Sequence, residues 1–292
     1  MRRRNLQTTA GIVCVAVFVL FLGFELFGRL AETDPSSYYY IAALFSGAVL
    51  IGASLFLGKA SRRRGGEFFR LRTFRLRWIP VTLCATVAAL TGAALINLFF
   101  SNIGLPEWLR PVVNNPLSIG TTDPVAALLA LVLVPAVCEE LFIRGALLSV
   151  FEERGVFRSV LITAFVFSFL HGSASNLIAT FFASLIYGYL TVACGSVYPA
   201  MVAHLLNNLL AGSLMLFGQN FFNIGYDGFF LAVAFILFFG SVCLLSWLLY
   251  RMLSKKAPTG ESAAEPEGFP WFLAALGVLW VAKIVLSVYN RI

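Results

Sequence analysis

Charge is scarce in this chain. Only 12% of its 292 residues are Asp, Glu, Lys or Arg, about half the share usual in soluble globular domains. No polar stretch is long enough to form a soluble catalytic domain, so any chemistry has to sit among apolar segments. The five cysteines (Cys14, Cys84, Cys138, Cys194 and Cys243) are odd in number, lie within or at the ends of apolar runs and form no metal-type pair. That pattern excludes a disulfide framework. Internal repeats and nucleic-acid modules are also missing. The net charge of +7 comes from basic residues concentrated beside the apolar runs, where they orient the chain and attract anionic headgroups, so nucleic acid is not an expected partner.

What is abundant is hydrophobic sequence, 60% of the chain, with a mean hydropathy of +0.88. A helix needs roughly 20 apolar residues to cross the hydrocarbon core of a bilayer. Nine candidates appear, at about 10–29, 38–58, 79–100, 124–150, 159–172, 174–193, 197–217, 228–250 and 270–289. The fifth is too short to span fully. The expected fold class is all-α, a polytopic membrane helical bundle of about eight to nine transmembrane or membrane-embedded helices.

The first segment starts "MRRRN", but no small-residue cleavage site follows it, so it reads as an uncleaved span. With the N-terminus in the cytoplasm, sixteen Lys and Arg fall inside, eight of them in "KASRRRGGEFFRLRTFRLR" (59–77). Arg29, Arg110 and Arg291 fall outside. This follows the positive-inside rule and puts the C-terminus outside. The chain divides into a three-span region with a basic cytoplasmic loop (1–123), a core (124–217) and a two-span region (218–292). An outer loop over 101–123, containing Trp108, and a polar linker "SKKAPTGESAAEPEG" complete the soluble parts.

Few polar groups lie inside the apolar runs, and ionisable residues there are functional candidates because they are costly to bury in lipid. "VPAVCEELFIRG" carries Glu139, Glu140 and Arg144. The two histidines of the chain, His171 and His204, are both in apolar segments, and "HLLNN" adds Asn207 and Asn208. Glu140 and Arg144 are four apart, the spacing of a helical ion pair. Glu139 lies five from the arginine and about 100° around the helix from Glu140. His204 and Asn208 are also four apart, and Phe167 sits one turn before His171. At ~1.5 Å per residue, Glu139, His171 and His204 lie roughly 16, 20 and 10 Å from the inner ends of their helices, depths that allow one shared cavity. A carboxylate and an imidazole there can remove a proton from a water attacking a carbonyl, and imidazole and amide N–H groups can hold the resulting oxyanion.

"EELFIR", "FSFLH" and "HLLNN" resemble, in order, the EExxxR, FxxxH and HxxxN motifs of the CAAX protease and bacteriocin-processing family of intramembrane proteases. Pro135, Gly145 and "YGYLTVACGSVYPAMVAH" extend the likeness over about residues 123–217. The resemblance implies a glutamate-type intramembrane endopeptidase with Glu139 activating water, His171 assisting, and His204 with Asn208 as the oxyanion site. Glu140, Arg144 and Phe167 match supporting positions, and this division of the two glutamates is taken from the family. It also implies membrane-bound or lipidated peptide and protein substrates of CAAX type, membrane lipids as surroundings, no cofactor, and a multi-pass protein in the plasma membrane of a prokaryote.

Two other readings use the same residues. Glu139, His171 and His204 offer zinc a two-histidine, one-carboxylate set, although no HExxH accompanies them. A non-proteolytic scaffold or bacteriocin-immunity protein would use the polar cluster to hold helices together. The second "EER", Glu152–Arg154, lacks the arginine at the required place, Phe157, and falls in a charged loop. Lys283 and Glu25 are expected to reach the membrane interface by snorkelling.

Overall fold

The computed structural model describes residues 2–30, 35–102, 129–171, 176–217, 228–253 and 270–289. Nine longer helical segments run through them: α1 Arg2–Leu30, α2 Pro35–Ser61, α3 Ile79–Asn102, α4 over 129–151, α5 Val156–Leu170, α6 Leu177–Cys194, α7 Tyr198–Phe217, α8 Gly228–Leu253 and α9 Trp271–Tyr289. They follow the nine apolar segments in order, because in hydrocarbon a backbone N–H or C=O finds its partner within its own helix. Among the described residues, five helices are long and apolar enough to cross a membrane: Asn5–Gly28, Tyr40–Ser61, Leu76–Phe100, Leu177–Cys194 and Ala232–Leu249. Val156–Leu170 and Trp271–Lys283 are shorter apolar helices, so α5 stops short as its segment predicts. The chain is an integral membrane protein built as a polytopic helical bundle. The outer loop beyond Asn102, with Trp108, and the linker from Ser254 to Gly268 lie outside the described residues.

Two stretches of α4, Leu129–Leu133 and Leu141–Leu147, are wound wide, with the i→i+5 pattern. Ordinary α-turns over Val134–Glu140 and Leu148–Phe151 alternate with them. Wide turns inside α-helices concentrate at functional sites, and here the second one carries Arg144.

The basic loop is more than an orientation signal. A single turn, Gly65–Phe68, buries Phe68 and Phe69. Phe69 presses its backbone onto α4 so closely that a Cβ on Gly145 would meet the Phe69 carbonyl oxygen at 3.3 Å. The Val197 N–H donates to the Arg70 carbonyl at 3.1 Å, and Ser196 Oγ donates to the Arg72 carbonyl at 2.6 Å. Arg63 pairs with Glu152 and Glu153, Arg70 with Glu152, and Arg154 Nε donates to Gln7 on α1 at 2.9 Å. The second "EER" therefore belongs to a structural staple. It ties the starts of α1, α5 and α7 and the end of α2 to one side of the bundle. Burial lowers the Arg70 guanidinium from its usual range, and the neighbouring Glu152 opposes that shift. Gly195, at φ +73°, supplies the left-handed residue that ends α6 and turns the chain into α7.

Packing joins the three regions read from the sequence. One buried cluster combines Cys14 and Phe18 of α1 and Leu50 of α2 with Phe142 of α4, Phe167 of α5 and Leu276 of α9. A second gathers Val81 and Ala85 of α3 with Tyr187 of α6 and Ala203 of α7. Lys283 and Glu25, both expected above to reach the membrane interface, also pair with each other, Nζ to Oε2 at 2.5 Å across α9 and α1.

Candidate active site

α4, α5 and α7 place Glu139, His171 and His204 around one point. Glu139 Oε2 lies 3.8 Å from His171 Nε2 and 3.9 Å from His204 Nε2. This oxygen is buried and has no hydrogen-bond partner among the described residues. The Glu139 and His171 side chains keep 24% and 30% of their surface exposed, whereas Glu140 and Arg144 keep none. Of the two glutamates, Glu139 is the one a small molecule can reach.

His171 closes α5 as its first residue past the last helical turn. Its Nδ1 is 2.8 Å from the Phe167 carbonyl oxygen, and a carbonyl can only accept, so Nδ1 carries the proton. In the neutral ring, Nε2 then holds a lone pair and faces Glu139. Phe167 packs on the His171 ring at 4.3 Å and touches His204 edge-on at 5.8 Å, which gives the FxxxH spacing a physical meaning. Ser168 fixes the same corner by donating to the Leu177 carbonyl at the start of α6.

Glu140 forms the predicted pair with Arg144, whose Nη1 donates to its Oε1 at 2.8 Å. The same Oε1 also accepts from His204 Nδ1 at 2.9 Å, so the supporting carboxylate orients the second histidine directly. Arg144 continues the network to α6, where its Nη2 donates to the Ser184 carbonyl at 3.0 Å and to Ser184 Oγ at 2.7 Å. Its guanidinium lies over Phe167 at 4.8 Å and Tyr187 at 5.6 Å, and Tyr187 stacks on His204 at 5.7 Å. Such charge–ring contacts gain strength where water is excluded.

Ser184 escaped the sequence reading, and Tyr187 entered it only as the first residue of the stretch that extends the likeness, with no role. Both are polar residues in an apolar run, which was a usable signal, but neither belongs to the three motifs. Asn208 is half-buried one turn beyond His204 on α7, and its neighbour Asn207 buries Oδ1 without a partner among the described residues. No group of three His, Cys, Asp or Glu side chains among the described residues is arranged to hold a metal ion. A cavity of about 80 Å³ adjoins Glu139 and His171 and is otherwise lined by apolar side chains.

Residues 121–210 match the model of a protein family described as Rce1-like, type II CAAX prenyl endopeptidase Rce1-like. The match falls on the part of the chain that carries the three motifs and supports the family resemblance read from them. No curated protein and no solved structure matches the chain.

Proposed function

With residues 121–210 matching the Rce1-like family, we propose that this protein is an intramembrane endopeptidase that hydrolyses a peptide bond in a membrane-bound, lipidated substrate of CAAX type. Glutamate and histidine activate the attacking water. The observation that carries this reading is the unpartnered Glu139 Oε2, poised 3.8 and 3.9 Å from two imidazole Nε2 atoms. Those separations are too long for direct hydrogen bonds and suit a single water bridging the groups.

The water oxygen attacks the carbonyl carbon while its proton passes to Glu139, assisted by the unprotonated Nε2 of His171. The oxyanion that forms is held by His204 with Nε2 protonated, its ring aligned by Glu140 through Nδ1, and by the amide of Asn208. The proton then moves to the amide nitrogen, the C–N bond breaks, and the products are a carboxylate and an amine. The Glu140–Arg144–Ser184 network fixes His204 and touches no substrate atom.

Purified full-length protein in lipid nanodiscs, given lipidated CAAX-type and transmembrane reporter peptides, tests this directly. Glu139→Ala is expected to remain folded and to lose cleavage by about 10²-fold or more, the range for a general base. The chelator phenanthroline is expected to leave the wild type unaffected. Wild-type cleavage by Glu139→Ala would overturn the mechanism, and loss of cleavage with phenanthroline would replace it with a zinc-dependent one.

A further inference from the structure

The basic stretch between α2 and α3 spends its charges unequally. Arg63 and Arg70 pair with Glu152 and Glu153 in the staple. Arg62, Arg64, Arg72, Arg75 and Arg77 are exposed, as is Arg158 at the start of α5, and none of these six has a carboxylate partner among the described residues. Apolar side chains stand among them. Leu76 is 79% exposed between Arg75 and Arg77, and Phe157 is 65% exposed beside Arg158. We propose that this surface docks anionic phospholipid headgroups of the adjoining leaflet, and that the docked lipid holds α4 and α7 in their active arrangement. The docking is independent of the endopeptidase reading above, whereas its effect on turnover rests on that reading.

The placement of charge and apolar surface selects the partner. Each Lys or Arg near a bilayer surface strengthens attraction to anionic lipid by roughly fivefold, so six unpaired arginines make a strong preference. Leu76 opens the stretch Leu76–Phe100, which is long and apolar enough to cross a membrane. The arginines on either side of it therefore stand at headgroup level. Phe157 is the second residue of α5 and marks the same boundary there. A soluble acidic ligand would use the arginines but gain nothing from Leu76 and Phe157, whereas a bilayer uses both.

The lipid acts on the site through the backbone of the loop. Phe69 lies against Gly145, the neighbour of Arg144 in the wide turn of α4. The Arg70 and Arg72 carbonyls hold the Val197 N–H and Ser196 Oγ, about two turns before His204 on α7. This docked loop is costly on its own. Arg62 and Arg70 sit at φ +57° and +55°, the left-handed region that residues with a Cβ disfavour. Like charges also crowd it: burial lowers the Arg70 guanidinium from its usual range, Glu152 opposes that shift, and Arg63 and Arg72 add to it. Headgroups gathered between the arginines relieve the crowding most where the loop is docked and its charges are closest. Lipid therefore shifts the loop toward the arrangement that clamps α4 and α7.

The test compares the full-length protein in nanodiscs of phosphatidylcholine with nanodiscs that also contain phosphatidylglycerol. Cleavage of one lipidated reporter peptide is measured in both, and amide hydrogen exchange over 62–77 and at Val197 is measured without substrate. Phosphatidylglycerol is expected to raise kcat/KM by about fivefold or more, the usual size of a coupling between two sites, and to slow exchange at the Val197 amide by a similar factor. Added salt is expected to weaken both effects. The triple variant Arg64→Gln, Arg72→Gln, Arg75→Gln keeps every staple contact; it is expected to match the wild type in phosphatidylcholine and to lose the response to phosphatidylglycerol. Exchange that ignores phosphatidylglycerol, or a triple variant that responds as the wild type does, overturns the docking surface. Slowed exchange with cleavage unchanged overturns the coupling to α4 and α7. An equal response in phosphatidylcholine to inorganic phosphate or to a soluble acidic peptide would make this a site for soluble anions and overturn the lipid assignment. Slowed exchange without cleavage in either nanodisc keeps the docking surface and overturns the endopeptidase reading.

Discussion

Oε1 of Glu140 accepts hydrogen bonds from both Arg144 and His204, at 2.8 and 2.9 Å, so one buried oxygen balances a guanidinium and orients the His204 ring. Replacing it with an amide separates those tasks. Glu140→Gln keeps the shape and an acceptor, but it removes the charge from the carboxylate that Arg144 and His204 share. The expected result is a folded protein whose kcat falls by about 10²–10³-fold, the cost of losing an oxyanion donor. Arg144→Met leaves Glu140 buried without its cation and is expected to cost about 3–5 kcal/mol, seen as a large drop in Tm. Wild-type turnover by Glu140→Gln would remove His204 alignment from the mechanism. The i,i+4 spacing made the Glu140–Arg144 pair legible in the sequence. The bond to His204 was not, because it joins side chains 64 positions apart on helices whose facing a single chain does not reveal.

α6 shows what motif reading misses at the scale of an element. Its sequence reads as a plain apolar span, yet Ser184 takes both hydrogen bonds of Arg144 Nη2 and Tyr187 stacks on His204. The helix can come this close because of Gly188, where a Cβ would meet Val160 Cγ1 of α5 at 2.8 Å. Small residues set the approach of membrane helices in this way, since lipid supplies no hydrophobic force between them. Gly188→Leu is expected to push α6 from α5, to cost about 1–3 kcal/mol by overpacking, and to lower kcat more than it raises KM, because Tyr187 and Ser184 move with the helix. Thermal melts and steady-state kinetics on the same preparation check both parts. A wild-type kcat alongside a lowered Tm would show that α6 only supports the fold. The wide turns of α4 were equally hidden, since an i→i+5 winding leaves the apolar pattern of a span almost unchanged.

Among the described residues, the order of the longer helices followed from the apolar segments alone, because hydrocarbon forces each segment to close its own hydrogen bonds. Which helices touch did not follow, and α9 illustrates the gap. The sequence accounts for Lys283 as a snorkelling side chain, and the structure adds a partner it does not reveal, Glu25 Oε2 of α1 at 2.5 Å from Nζ, joining α9 to α1. α9 also packs Phe272 against Phe151 at the end of α4 and Trp280 against Phe169 of α5. The C-terminal helix thereby braces α1, whose Phe21 lines the cavity beside Glu139. Lys283→Met takes the cation from Glu25 and is expected to cost about 1–3 kcal/mol. The doubly exchanged protein, Glu25→Lys with Lys283→Glu, is expected to recover most of that loss in Tm. An exchanged protein no more stable than the single variant would show that the two charges act separately and that α9 is held by its aromatic contacts alone.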